Sequence, residues 1–127
     1  MNVPIQSHSW STSSYNPYLL TALQSVSSLH IVAAGNNGKD LNSYPVYPAA
    51  YRNLPNKITV GASSYSNTIA GFSNYGTLVD LVAPGVSIYN TYYGSYTYMS
   101  GTSMATPVVA GVAALIKMQH PEYATSD

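Results

Sequence analysis

The chain has 127 residues, enough for one domain built around one core and too few for two. Charged side chains make up only 6% of it, four basic against four acidic, which excludes electrostatic binding to nucleic acid or to an anionic membrane surface. There is no cysteine, so neither a disulfide framework nor a thiolate metal site is available.

Taken in chain order, Met1 to His8 has neither the basic start nor the apolar run of a signal peptide. Val3 to Trp10 is predicted to be a short strand, followed by a polar loop ending at a helix cap, Asn16. A helix then starts at Pro17, a residue suited to a first turn, with Tyr18, Leu19, Ala22, Leu23 and Val26 on one apolar face. Leu29 to Ala34 is predicted as a buried strand, and strand, helix and strand within about 30 residues imply a βαβ unit with a parallel sheet. Pro45, Pro48 and Pro55 keep 39–56 irregular. Further strands are expected at Lys57–Ala62 and Val79–Ala83, and a hairpin at Tyr89–Met99 around Gly94-Ser95. The last element is a helix from Ser103 to about Gln119. Its apolar residues spread around most of its circumference, so it is expected to be nearly surrounded by protein. Its apolar stretch, Ala105 to Met118, falls short of the roughly 20 residues a membrane span needs. The 13 tyrosines concentrate in loops and hairpin, where they either cover loops or line a cleft.

The most informative segment is Gly101-Thr102-Ser103-Met104-Ala105-Thr106-Pro107, which places a serine where a loop becomes that helix. Unpaired N–H groups and the positive end of the helix dipole stabilise an anion forming beside a serine oxygen. Gly101 lets a carbonyl approach the backbone, and Pro107 is expected near the end of the first turn, where a missing N–H costs little. The alternative is that Thr102 or Ser103 merely caps the helix.

Together with Ala33-Ala34-Gly35-Asn36, Ala83-Pro84-Gly85, Tyr47-Pro48-Ala49, the strand Ile58–Ala62 and Phe72-Ser73-Asn74-Tyr75-Gly76, the heptapeptide resembles the subtilisin-like serine proteases, the subtilases. Ser7-His8-Ser9-Trp10 is similar to the strand that precedes them in that family. The resemblance covers essentially the whole chain. It implies an α/β, subtilisin-like three-layer fold with a mostly parallel sheet, incomplete at its N-terminal side, and residues 1–127 as the C-terminal portion of one catalytic domain.

Residue by residue, the resemblance makes Ser103 the nucleophile and Asn36 the side-chain donor of the oxyanion hole, with the Ser103 N–H as second donor. Ser9, Trp10 and Ser11 would form one wall of the substrate pocket and Ala33, Ala34 and Gly35 the other, with Val46 restricting its depth. The substrate would be a polypeptide added as a strand along Ser9 and Ser11. Ser11 stands where many relatives have glycine. The family's Asp-(Thr/Ser)-Gly and His-Gly-Thr type motifs are not present, and neither His8, His30 and His120 nor Asp40 and Asp80 have motif support as replacements. The expected partner is therefore an N-terminal Asp/His portion of the same domain; the alternative is a catalytically inert remnant or peptide-binding module that keeps the groove. No cofactor is required for the chemistry. Structural calcium is common among relatives and would use loop carbonyls near Ala49 and Tyr51, although no acidic cluster accompanies them. Family resemblance also implies an extracellular location.

Overall fold

The computed structural model describes residues 3–125. Four strands, β1 (Ile5–His8), β2 (Leu29–Ala33), β3 (Lys57–Ser63) and β4 (Leu81–Pro84), form one sheet in that order, every pair parallel. Parallel strands require crossovers and both faces covered. α2 (Thr102–Gln119) lies against all four strands, burying Ala105 with Ile31, Val60, Ala62 and Ala83. On the opposite face Val32 and Ala34 pack with Leu41 and Ala49, and α1 (Pro17–Gln24) packs Leu23 against Tyr51 and Leu54. The result is the expected α/β architecture, with helix or loop on both sides of a parallel sheet.

Asn16 caps α1, its Oδ1 accepting from the N–H of Tyr18 at 2.9 Å and of Leu19 at 3.2 Å. The apolar face of α1 is Leu19, Leu20 and Leu23, however. Tyr18 is 85% exposed, and Val26 lies beyond the C-cap Ser25, because the helix ends at Gln24, before the apolar spacing does. Strand β1 is shorter than Val3–Trp10, and β4 begins two residues later than expected. The hairpin pairs β5 (Ile88–Tyr92) with β6 (Ser95–Met99), and its turn is Tyr93-Gly94, both with positive φ (42° and 77°), as a two-residue turn matched to strand twist requires.

The larger correction concerns α2. Only Thr102, Ala105 and Thr106 are buried, while Val112, Leu115 and Met118 are 52%, 62% and 76% exposed. The helix rests on one sheet face, and among the described residues nothing covers its outer side.

Candidate active site

The N-terminus of α2, the end of β1 and the loop after β2 meet at Ser103. The Ser103 hydroxyl donates to the carbonyl of Ser9 at 3.2 Å, and the Ser9 hydroxyl donates to the carbonyl of Ser103 at 2.9 Å. The second bond has a cause in Pro107. This residue is the sixth of the helix, not the end of its first turn, so its missing N–H leaves the Ser103 carbonyl without an intrahelical partner, and Ser9 supplies one. Neither Thr102 nor Ser103 caps the helix; the cap is Gly101, which provides no side-chain bond.

Asn36 is held by Thr102. Its Oδ1 accepts from the Thr102 N–H at 2.8 Å and the Thr102 hydroxyl at 2.9 Å, while Thr102 Oγ1 accepts from the Gly35 N–H at 3.2 Å. With both donors on Oδ1, the amide orientation is fixed and Nδ2 remains free, 3.4 Å from where a Cβ on Gly101 would stand. Among the described residues, neither Asn36 Nδ2 nor the Ser103 N–H has a hydrogen-bond partner. These two unpaired N–H donors lie 3.4 and 3.7 Å from one point, a would-be Cβ on Gly101, and such a convergent pair suits a carbonyl oxygen that gains negative charge.

The loop that carries Asn36 is shaped by Asn74, which the sequence marked only as part of a matching segment. Asn74 is buried; its Nδ2 donates to Ala34 O at 2.9 Å, and its Oδ1 accepts from the N–H groups of Asn37 and Lys39, both at 3.0 Å. Gly35 has φ +97°, and a Cβ there would lie 2.5 Å from Asn74 Nδ2, so glycine is required twice over. Gly85 plays a similar part under the serine loop. Its carbonyl accepts from the Gly101 N–H at 2.8 Å, and a Cβ on Gly85 would stand 2.7 Å from that of Ala62.

Ala33, Ala34 and Gly35 are buried, whereas Ser9, Trp10 and Ser11 are exposed. Just beyond Ser11, Thr12 exchanges backbone hydrogen bonds with Tyr47 at 2.9 and 2.8 Å, which anchors that segment. Val46 lies under Gly35, 3.2 Å from its would-be Cβ.

No histidine is bonded to Ser103. His30, buried, donates from Nε2 to Leu23 O at 3.0 Å, which makes its Nδ1 an acceptor for His8 Nε2 at 3.1 Å. Burial, and then the neighbouring His30, lower the pKa of His8 from 6.5. His120 pairs with Glu122 at 3.2 Å at the far end of α2, about 25 Å along the helix from Ser103. Asp40 accepts from Asn42, and those bonds hold its carboxyl below the usual range. Among the described residues no group of three or more His, Asp or Glu side chains is placed to hold a metal ion. No described helix is long and apolar enough to cross a membrane.

Comparison with known proteins agrees with this geometry. The model of the subtilase family matches residues 1–127. The chain belongs to the subtilase family. It is 54% identical over 93 residues to a thermophilic serine proteinase from Bacillus sp. (strain AK1), covering 72% of this chain and 22% of that protein. It is 48% identical over 96 residues to Subtilisin Savinase from Lederbergia lenta, covering 75% of this chain and 34% of that one. Among solved structures, a cold adapted subtilisin-like serine proteinase superposes with a TM-score of 0.82 at 36% identity, over 95% of this chain and 44% of the other. This subtilase chain thus matches 22% and 34% of those two relatives' lengths. It shares the subtilisin-like fold of that family.

Proposed function

We propose that this subtilase chain supplies the nucleophile and the oxyanion hole of a serine endopeptidase site, as a partial catalytic domain completed by a portion that carries Asp and His. The observation behind this is the pair of free donors, Asn36 Nδ2 and the Ser103 N–H, which converge beside Gly101 at the start of the serine helix. In the proposed reaction Ser103 Oγ attacks the carbonyl carbon of a peptide lying between Ser9–Ser11 and Ala33–Gly35. The two donors hold the oxyanion of the tetrahedral intermediate, the protonated amine leaves, and water hydrolyses the acyl ester. The serine proton needs a base, and none of the three histidines is bonded to Ser103. The base and its orienting carboxylate are therefore assigned to the Asp/His portion of the domain. The exposed outer face of α2 and a cleft of about 520 Å³ lined by Pro4, Ile5, Ile58, Ala113 and Ile116 offer that polypeptide an apolar seat. The chemistry uses no cofactor, and an extracellular setting is proposed from the resemblance alone.

One observation favours the inert, peptide-binding alternative for the chain on its own: the Ser103 proton is held by the Ser9 carbonyl, not by a base. A fluorophosphonate probe separates the two. Covalent labelling that vanishes in Ser103→Ala supports the nucleophile, whereas no labelling even when an Asp/His portion is added leaves only the binding module.

A further inference from the structure

The chain's few charges are not scattered. Of eight charged side chains, three, Arg52, Lys57 and Asp80, line one cavity of about 270 Å³ beside Tyr51. Lys57 is half-buried and enters it from the first position of β3, where its ammonium donates to the carbonyl of Ala49 and to the hydroxyl of Thr59, both at 2.7 Å. Ala49 and Thr59 are fully buried, and the Ala49 carbonyl accepts from no backbone N–H. Asp80 joins from the residue just before β4, its Oδ2 accepting from the Thr59 N–H at 2.7 Å and its own N–H donating to Thr59 O at 3.0 Å. Apart from the ammonium, the Ala49 carbonyl has only a long bond from the Thr59 hydroxyl at 3.5 Å, and a poorly partnered buried carbonyl is costly, so the ammonium has a structural task.

The carbonyl in question is one that the family resemblance offers to structural calcium, and the residues do not fit that ion. Calcium needs six to eight oxygen ligands. Here the Ala49 carbonyl already holds an ammonium, and one oxygen of the only carboxylate is committed to Thr59. Two positive side chains against one negative already leave the cavity with a surplus positive charge. Burial lowers the Lys57 pKa, the Asp80 charge works against that fall, and Arg52 adds to it. The ammonium is thus a desolvated charge kept in place by its acceptors, as a bound cation would be.

We propose that the Lys57 ammonium is the built-in cation of this subtilase chain, holding the loop at 48–56 to the β3–β4 edge so that no metal ion is needed there. The proposal is independent of whether the chain cleaves peptides.

Thermal unfolding tests it. For the unaltered chain, the midpoint is expected to be the same in 5 mM EDTA and in 10 mM calcium. A calcium site with a dissociation constant near 0.1 mM would raise it by several degrees, by mass action, and such a rise overturns the proposal. Lys57→Met keeps the stem and removes the charge; it is expected to lower the midpoint by about 3–6 °C, while Lys57→Arg stays close to the original. An unchanged midpoint in Lys57→Met overturns the proposal as well. Terbium luminescence excited through tyrosine covers the case in which Lys57→Met does not fold. Emission from terbium bound at Tyr51 in the unaltered chain, abolished by Asp80→Asn, contradicts the assignment, and its absence agrees with it.

Discussion

Thr102 decides what Asn36 can do. By placing an N–H and an O–H on Oδ1, it leaves the Asn36 amide one useful function, donation from Nδ2. Thr102→Val keeps the shape and the N–H but loses the hydroxyl bond and leaves the Gly35 N–H unpaired. With an Asp/His portion present, probe labelling of Ser103 is expected to slow about 10-fold, the equivalent of one neutral hydrogen bond, while folding survives. A second prediction concerns pH. His8 has a folded pKa below its unfolded 6.5, so below that pH the unfolded chain takes up a proton that the folded chain resists. Stability is therefore expected to fall as pH drops below about 6.5 and to be flat from 7 to 8. Urea midpoints measured across that range check this, and His8→Gln should flatten the acid limb. Ser103 and Asn36 could be singled out as candidates from the sequence because their motifs are local. Thr102 and Asn74 could not, since their roles exist only through bonds to residues 66 and 40 positions away.

Among the elements, those defined by local chemistry came out as the sequence implies. The Asn16 cap, the turn glycine of the hairpin and the buried run of β2 each follow from interactions within a few residues. Asn16→Ala removes an acceptor serving two N–H groups and is expected to cost about 1 kcal/mol, read as a lower melting midpoint, with Asn16→Asp near neutral. The α2 periodicity misled for a physical reason. Apolar residues all round a helix report that it is made to be covered, not which molecule covers it. Likewise Tyr89, Tyr96 and Tyr98 stack on one exposed face of the hairpin, while Tyr51 is buried with its hydroxyl on Asn16 O, so composition alone could not sort the tyrosines.

For the whole molecule, four parallel strands with α2 on one face and α1 with its loop on the other place Ser103 at the mouth of the fold, beside the end of β1. The parallel pairing of β1 with β2 could be anticipated from the βαβ pattern, whereas the exposed side of α2 could not. Leu115→Lys and Met118→Lys lie on that side. They are expected to change the folding midpoint by less than about 0.5 kcal/mol, because the side chains are already exposed, yet to reduce hydrophobic-dye binding and association with an Asp/His portion. Native gels and dye titration read the two effects.

In the proposed site Asn36 is the side-chain donor that faces the oxyanion. The most direct measurement is the rate of acylation of Ser103 by a chromogenic peptide ester in the presence of an Asp/His portion, for the original chain and for Asn36→Leu. A fall of about 10²–10³-fold is expected, the magnitude known for such a donor in subtilisin, with folding unchanged. Equal rates would contradict the account, because Asn36 would then be no more than a loop residue bonded to Thr102.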